Sequence, residues 1–380
     1  MSGFPVALTK CDGYSLLNQA FEELKEKAQL KEFEKKVSGK KVLVKPNFLG
    51  PFRPELAVTT YPELVRIVVR WLKSANAEVL VGDNAGIGGY GYNERSAKKT
   101  GILEASEGAF QNIAKEVVEK QVDSRFFKKL IVSKAVLSAD YIVNLPKLKT
   151  HSLAFFTLGI KNMFGILAGA SKSQVHNSAQ RIEEFGEALV DIYQIRPPDL
   201  TILDGIIGMD GNGPSFGRVR PIGYLVASEN ALAVDLLVAK MAGAEPKLIP
   251  HLKFAMERGL GPKKSEEIEV IGEFKPIPGF RFPTTLARNR FASFFINRFI
   301  YKPIINSKLV LNPNKCNSCK NCYNACPSGA MNWKNDYPEI DYKICIRCMC
   351  CFELCEQGAW EIAGFLKRMV SRGGLRREEK

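Results

Sequence analysis

Residues 316–327 read CNSCKNCYNACP, and residues 345–356 read CIRCMCCFELCE. In both stretches the cysteines follow the spacing C-x2-C-x2-C-x3-C, so one short loop presents three thiolates and a fourth follows closely. Thiolates are soft ligands that suit iron-sulfur clusters, and where two such clusters share a domain, the fourth cysteine of each stretch binds the other cluster. One stretch alone would leave zinc as an alternative, whereas two tandem copies predict two [4Fe-4S] clusters.

The crossing of the fourth cysteines also predicts which residues bind which cluster. We expect the first cluster to be bound by Cys316, Cys319, Cys322 and Cys355, and the second by Cys345, Cys348, Cys351 and Cys326. Cys350 breaks the spacing and is predicted to be a small buried apolar residue, with ligand exchange as the alternative. Glu356 stands where the first stretch has Pro327. Its carboxylate is expected to lower the potential of the cluster that uses Cys355, because it opposes added negative charge.

The repeat extends beyond the cysteines. Residues 312–316 align with 341–345, and Gly329-Ala330-Met331 aligns with Gly358-Ala359-Trp360. A duplication of this kind explains why each half lends a cysteine to the other. We therefore predict a small bacterial-type ferredoxin domain of the α+β class at residues 308–366, followed by a basic tail at 367–380.

Composition sets limits on the rest of the chain. Its 380 residues suggest two domains, and 46% hydrophobic with 25% charged residues is ordinary for a globular protein. Only Cys11 and Cys350 fall outside the ligand pattern, which favours a reducing, cytoplasmic location over a disulfide-bonded secreted protein. The first residues do not resemble a signal peptide. The sequence has no uninterrupted apolar run of about 18 residues, so we expect no transmembrane segment.

The formal net charge of +14 favours acidic or anionic partners. Two clusters with their thiolates would reduce that charge to roughly +10. No nucleic-acid motif accompanies the excess, so we expect no nucleic-acid partner. The expected partner is instead a redox protein or a small anionic substrate, and a diffuse solvated basic surface is the simpler alternative.

Residues 1–275 alternate strand-like and helix-like segments, which predicts an α/β domain with a largely parallel sheet and flanking helices. The expected strands are 41–45, 78–82, 141–145 and 200–203, and the expected helices are 62–75, 178–195 and 229–243. Residues 276–307 form a linker rich in proline, phenylalanine and arginine. We expect it to dock onto the α/β domain, with a membrane-surface helix as the alternative.

Polar residues follow several of the expected strands, where open α/β sheets place their ligands. Lys45 and Asn47 end one strand, and Asp83 ends the next. Residues 86–91 match G-x-G-x-x-G only formally, so we expect an anion- or substrate-facing loop rather than a dinucleotide site. The loop at 204–214 resembles a calcium loop superficially but lacks the later ligands, and a mobile loop at the rim of a site is expected.

The segment Pro146-Lys147-Leu148-Lys149-Thr150-His151 carries the densest functional pattern. Lys147, Lys149 and His151 alternate, so in an extended strand they project to one side. With Lys161 and Asn162 shortly after, they predict a cationic pocket for a carboxylate or phosphate. The alternative is a solvated basic edge. A metal-ligand role for His151 is a lesser option, since no second histidine or carboxylate stands nearby at ligand spacing.

These segments resemble an iron-sulfur family known as "domain of unknown function 362", in the form with a C-terminal two-cluster ferredoxin domain. The matching pieces are residues 45–47, 81–83, 146–151, 159–162, 204–205 and 211–214. The resemblance implies the fold and the clusters but no particular reaction. Glu356 in place of proline is the main departure from the pattern.

The leading hypothesis is an iron-sulfur redox protein that passes electrons between its clusters and an anionic site in the α/β domain. The expected catalytic residues are His151, Asp83 and Lys149, with His151 or Asp83 carrying a proton coupled to electron transfer. The expected anion-binding residues are Lys45, Asn47, Lys147, Lys161 and Asn162. Two alternatives stay open: a non-catalytic electron carrier or activator that docks onto a partner enzyme, and a metal-centre assembly factor that uses Cys350 and His151.

Overall fold

A computed structural model describes residues 3–85, 91–151, 153–168, 170–179, 181–215, 217–283, 308–324, 326, 329–345, 351, 355, 357 and 359–362. The strands of the N-terminal domain are β1 (Phe4–Lys10), β2 (Lys41–Pro46), β3 (Glu78–Val81), β4 (Val117–Gln121), β5 (Lys129–Ser133), β6 (Tyr141–Leu145), β7 (Lys147–His151), β8 (Phe155–Thr157), β9 (Leu200–Asp210), β10 (Arg218–Ser228) and β11 (Ile268–Ile271).

The helices of this domain are α1 (Leu17–Lys27), α2 (Lys31–Val37), α3 (Pro62–Ser74), α4 (Tyr92–Lys99), α5 (Ile102–Ala105), α6 (Lys134–Ser138), α7 (Gly159–Asn162), α8 (Ala170–Ser178), α9 (Ile182–Tyr193), α10 (Ala231–Met241) and α11 (Pro250–Glu257). None of the helices in the described ranges is long and apolar enough to cross a membrane.

Among the described residues, nine strands form one mixed, mostly parallel sheet with the order β11-β1-β10-β9-β6-β2-β3. The central pairs β9–β6, β6–β2 and β2–β3 are parallel, whereas β10 runs antiparallel to both β1 and β9. Strand β7 pairs in parallel with β9 and carries β8 on its other side. The predicted α/β class with a largely parallel sheet is therefore confirmed.

Strand β2 shows why the sheet is covered on both faces. Leu43 packs into the apolar layer that includes α9, α10 and α11, while Val42 and Val44 pack into the layer that includes α1, α2 and α3. Successive side chains of a strand point to opposite faces, so this hydrophobic run buries both sides of the sheet, as is typical of a central parallel strand.

The expected elements are present, with differences at their ends. The strand expected at 200–203 continues to Asp210, because it pairs with β10 along most of its length. The helix expected at 178–195 begins at Ile182 and ends at Tyr193. Helix α8 and the hairpin of β4 with β5 were not expected. Pairing partners decide such ends, and the partners lie far away in the chain.

The C-terminal module contains β12 (Leu309–Leu311), α12 (Asn321–Asn324), β13 (Met331–Lys334), β14 (Tyr337–Ile340) and β15 (Trp360–Ile362). Strand β12 pairs antiparallel with β15, and β13 with β14. Leu309, Met331 and Trp360 form its small core together with Cys322. The pairing of β12 with β15 joins the two ends of the cysteine-rich region.

Only the start of the predicted linker lies within the described residues. The backbone N–H of Ile277 donates to the Met241 carbonyl at 2.7 Å, and that of Gly211 donates to the Arg281 carbonyl at 2.7 Å. Residues 277–281 therefore lie against the α/β domain. The rest of the linker, residues 284–307, falls outside the described ranges, as do Cys348, Cys350 and Glu356. The domain boundaries drawn from the sequence stay predictions.

Candidate functional site

The carboxyl ends of the parallel strands bring the expected polar residues to one edge of the sheet. Lys45 lies at the end of β2, Asp83 just beyond β3, and Lys147 at the start of β7, directly after β6. Strands β2, β3 and β6 are adjacent and parallel, so their ends meet as an open α/β sheet requires. Lys147 and Lys149 are each only 1% exposed, which excludes the alternative of a solvated basic edge.

Lys45 and Asp83 form a buried ion pair. Lys45 Nζ lies 2.8 Å from Asp83 Oδ1. Asp83 Oδ2 accepts the backbone N–H of Phe48 at 2.8 Å. Burial lowers the pKa of Lys45, and the Asp83 charge opposes that shift. Gly165 packs against the pair so closely that an added Cβ would lie 1.9 Å from Asp83 Oδ1.

Lys147 has its own carboxylate. Its Nζ donates to Asp204 Oδ2 at 2.8 Å and to the Tyr14 hydroxyl at 2.6 Å. That hydroxyl donates to Asp204 Oδ1 at 3.0 Å, and the Tyr14 ring stacks on Tyr61 with a centroid distance of 3.5 Å. Burial, followed by the charge of Asp204, raises the pKa of Tyr14 far above its ordinary value. Lys147 thus has both a counter-charge and a second hydrogen-bond partner.

Asn47 and Asn162 belong to a chain of buried amides. Asn47 Nδ2 donates to Asn162 Oδ1 at 2.8 Å, and Asn162 Nδ2 donates to Asn144 Oδ1 at 2.8 Å. The Asn47 N–H donates to Thr60 Oγ1 at 2.8 Å. The chain links the end of β2 to β6 and to α7, so it aligns the elements that carry the lysines. Asn144 was missed in the sequence because its polar side chain sits inside an apolar strand.

Lys149 and Lys161 differ from the other two lysines, because neither has an ion-pair partner among the described residues. Lys149 Nζ donates to the backbone carbonyl of Val58. Lys161 Nζ lies over the Phe164 and Phe185 rings, at 5.2 and 5.8 Å from their centroids. Burial, followed by the charge of Lys161, lowers the pKa of Lys149 well below its ordinary value. Burial, followed by repulsion from Lys172 and Lys45, lowers the pKa of Lys161 to about 7.

The chain has three histidines, and all three lie close enough to Lys161 to be affected by its charge. His151 Nδ1 accepts the backbone N–H groups of Leu153 and Ala154 at 3.1 and 3.3 Å, so any proton of the neutral ring is on Nε2. Burial, followed by the charge of Lys161, lowers the pKa of His151 well below its ordinary value. No three His, Cys, Asp or Glu side chains converge as single-ion ligands within the described ranges.

The other two histidines were not identified from the sequence. His176 stacks on Phe185 with a centroid distance of 4.8 Å, and burial lowers its pKa to about 4. His251 is fully buried, and within the described ranges neither of its ring nitrogens has a hydrogen-bond partner. Burial lowers its pKa to about 3. Both lie in helices distant from His151 in the chain, and no spacing signal connects them.

Asp235 is a further residue that sequence reasoning missed. Its carboxylate oxygens accept the backbone N–H groups of Gly159 and Ile160 at 2.6 and 3.0 Å, at the start of α7. Burial raises the pKa of Asp235 to about 7. Because Lys161 and Asn162 are the last residues of α7, Asp235 fixes their position. An aspartate inside the apolar run of α10 was the available signal.

Of the two loops identified in the sequence, at residues 86–91 and 204–214, the structure describes mainly the second. Residues 86–90 of the glycine-rich loop lie outside the described ranges. In the loop once compared with a calcium site, Asp210 binds Arg218 and Arg220 at 2.6 and 3.0 Å. It also accepts the backbone N–H of Arg281 at 3.1 Å. Asp210 therefore anchors the start of the linker.

Four of the expected cluster ligands line one cavity in the C-terminal module: Cys316, Cys319, Cys322 and Cys355. They are free thiols, and the backbone N–H of Ala359 donates to Cys355 Sγ at 3.2 Å. Cys355 comes from the second stretch, so the fold brings together the set expected for the first cluster. Soft sulfur donors, an enclosing cavity and an inward N–H group fit an iron-sulfur cluster.

The set expected for the second cluster is only partly described. Cys326 and Cys351 pack against the same small core as Cys322 and Trp360. Cys345 lies at the end of a turn, and its backbone N–H donates to the Asp341 carbonyl at 3.0 Å. Cys348 lies outside the described residues. The assignment of these four ligands stays a prediction.

Comparisons with known proteins match two separate ranges of the chain. The profile of the family described as "Domain of unknown function (DUF362)" matches residues 42–240. A "4Fe-4S dicluster domain" profile matches residues 308–356. A thylakoid-associated protein of Synechocystis sp. is 33% identical over 285 residues, which cover 70% of this chain and 86% of that protein.

Two solved structures share a distant likeness with the chain. The lactate racemase apoprotein of Thermoanaerobacterium thermosaccharolyticum aligns with 14% identity and a TM-score of 0.38 over 62% of this chain. A structural-genomics target from Thermotoga maritima aligns with 15% identity and a TM-score of 0.34 over 58% of this chain. The alignments span 56% and 57% of those two chains.

Proposed function

Because the chain belongs to the family described as domain of unknown function 362 and ends in a 4Fe-4S dicluster domain, we propose the following function. The protein binds two [4Fe-4S] clusters and passes electrons between them and an anionic ligand held in the α/β domain. The iron-sulfur electron-transfer role follows from the dicluster domain. The number of clusters, the anionic ligand and the site residues are the proposal.

The observation that carries the anionic ligand is a charge imbalance in a buried region. Lys45 and Lys147 each have a carboxylate at 2.8 Å, whereas Lys149 and Lys161 have none among the described residues. An isolated buried ammonium is costly, so such a group either loses its proton or binds an anion. A carboxylate or phosphate beside Lys161 would restore the charge balance and raise its pKa again.

The residues then divide by role. We propose that Lys161 and Lys149 bind the anion, and that Lys45, Lys147, Asn47 and Asn162 hold the elements in place. Both oxygens of Asp83 are engaged, by Lys45 and by the Phe48 N–H, so Asp83 serves to hold Lys45. His151, whose Nδ1 is already occupied, remains the candidate that carries a proton on Nε2.

When bound, the clusters would supply one-electron steps in the C-terminal module. The chain contributes their thiolate ligands and the N–H donor of Ala359 to Cys355. Thiolate ligands require a reducing compartment, and we propose the cytoplasm. A redox partner protein would supply or take up the electrons.

The first experiment is anaerobic purification with iron and sulfide counts and mass spectrometry of released small molecules. We expect about eight irons per chain and a released compound bearing a carboxylate or phosphate. Adding that compound to protein reduced by dithionite should reoxidise the clusters, seen as recovery of visible absorbance. Lys161→Met should abolish the recovery, whereas the exposed Lys99→Met, a matched control, should retain it.

The outcomes separate the alternatives. Stable reduction without reoxidation by any released compound, together with a co-purifying enzyme, would replace this proposal with an electron carrier. Transfer of iron to an apo-protein would replace it with an assembly factor. Fewer than about eight irons would overturn the two-cluster assignment.

A further inference from the structure

Trp360 faces the cavity lined by the four cysteines of the first cluster. It opens strand β15, and its pairing with Leu311 of β12 fixes the backbone at that point. The side chain is only 3% exposed. A large indole is therefore held rigidly at the wall of the cavity, directly after Ala359, whose N–H already donates to Cys355 Sγ.

The indole N–H has no satisfactory acceptor within the described part of the chain. Nε1 is buried and makes no hydrogen bond of good geometry. The indole and Cys322 line the same cavity and pack in the same small core. A buried N–H without an acceptor is costly. A negatively charged sulfur in the cavity would remove that cost.

The internal repeat makes this donor specific to one cluster. Trp360 aligns with Met331 of the first half, and Met331 is buried in the same small core. Methionine has a thioether and no N–H group, so it cannot donate. At this position of the repeat, one half carries a hydrogen-bond donor and the other does not.

We propose that the Trp360 indole N–H donates to sulfur at the first cluster, either the Cys322 thiolate or an adjacent sulfide, and raises the reduction potential of that cluster. Reduction adds one negative charge, and a donor stabilises the more negative form more strongly. The proposal rests on the ligand assignment of the proposed function. Trp360 acts as a tuning residue through its hydrogen bond and opposes the lowering expected from Glu356.

The test is a redox titration of the holo-protein and its Trp360→Phe variant, followed by EPR. At a fixed potential, the ratio of reduced to oxidised first cluster should fall about tenfold, which corresponds to about 59 mV for a one-electron couple. The second cluster should not change. Trp333→Phe is the control, since Trp333 lines the same cavity and is the other indole there. Equal shifts in both variants, or no shift in Trp360→Phe, would overturn the proposal.

A second measurement does not depend on the stability of the Trp360→Phe variant. In wild-type protein labelled with 15N at the indole nitrogen, pulsed EPR of the reduced protein should detect 15N coupling in one cluster signal, which identifies the first cluster. That coupling should persist in Trp333→Phe. Its absence from wild type, or its loss in Trp333→Phe, would refute a hydrogen bond from Trp360. The iron count is separate: a low count overturns the proposed function, whereas a full count without coupling overturns only this inference.

Discussion

Lys45 Nζ lies 2.8 Å from Asp83 Oδ1, and the two side chains are 0% and 2% exposed. The pair joins the end of β2 to the residues after β3, and Gly165 closes over it. An ion pair at this depth has lost its hydration, so each partner depends on the other. The same relationship recurs between Lys147 and Asp204, whereas Lys149 and Lys161 have no such carboxylate in the part of the chain that the structure describes.

The Lys45–Asp83 pair should be sensitive to loss of one partner. Asp83→Asn leaves a buried ammonium without its counter-charge, so the free energy of unfolding should fall by about 3–5 kcal/mol. Urea unfolding followed by circular dichroism measures this. The control is Glu229→Gln, which breaks the exposed pair with Lys36 and should cost less than about 1 kcal/mol. Equal losses would show that the Lys45–Asp83 pair is not desolvated.

Lys147 and Lys161 should differ in how strongly the same substitution lowers the free energy of unfolding. Lys147→Met leaves Asp204 charged, buried and unpaired, with an expected loss of about 3–5 kcal/mol. Lys161→Met removes an ammonium group that has no carboxylate partner among the residues described, and it should cause no loss of unfolding free energy at pH 7. Urea unfolding of ligand-free protein compares them. A large loss in Lys161→Met would reveal a stabilising partner for that ammonium.

The free energy of unfolding should also depend on pH through Lys161. Its pKa falls from 10.5 to about 7 on folding, so between these values the unfolded state binds more protons. The free energy of unfolding therefore rises as pH increases through this window. Lys161→Met should reduce that slope, and unfolding at pH 7 and pH 9 measures it. Lys99→Met should leave the slope unchanged.

His251 should contribute a second, separate pH dependence. Its pKa falls from 6.5 to about 3 on folding, so the unfolded state binds more protons in this range. Lowering the pH from 6.5 therefore destabilises the fold, by up to about 1.4 kcal/mol per pH unit. His251→Leu should stabilise the protein at pH 5 more than at pH 7.5. If His251→Leu changed the free energy of unfolding by the same amount at both pH values, the ring would be hydrogen-bonded in solution.

Gly165→Ala should be poorly tolerated for a steric reason. The added Cβ would lie 1.9 Å from Asp83 Oδ1 and 2.8 Å from Lys45 Nζ, so the pair or the backbone must shift. We expect a lower melting temperature and less folded protein. Gly13→Ala is the control, because the nearest atom to its added Cβ is Ser15 Oγ at 3.9 Å. Similar melting temperatures for the two variants would contradict the close packing at Gly165.

Much of the fold could be predicted because it depends on local patterns. The apolar run of β2 and the apolar spacing of α3 predict their elements within one residue at each end. The paired partners of these elements are distant in sequence, so strand order and the extension of β9 to Asp210 could not be read locally. The antiparallel position of β10 within the sheet follows from the same long-range pairing.

The candidate site divides in the same way. Lys45, Asp83, Lys147, Lys149 and Lys161 stood out because charged residues interrupt apolar runs near strand ends. The sequence did not show which residues surround them, because these neighbours come from other elements: Asp204, Asp235, His176 and His251. Period two placed Lys147 and Lys149 on one side of a strand, but burial of that side depended on the layers that cover it.

By itself, the sequence determined the iron-sulfur chemistry, because ligand spacing within a short loop is a local property of the chain. It also determined the α/β class through the length and alternation of its apolar segments. Only the tertiary structure decided which lysines have a carboxylate, since Asp83 reaches Lys45 from the segment after β3 and Asp204 reaches Lys147 from β9. It also placed Trp360 at the cavity of Cys322 through the pairing of β12 with β15. Contacts between residues far apart in the chain arise from packing, which no local spacing records.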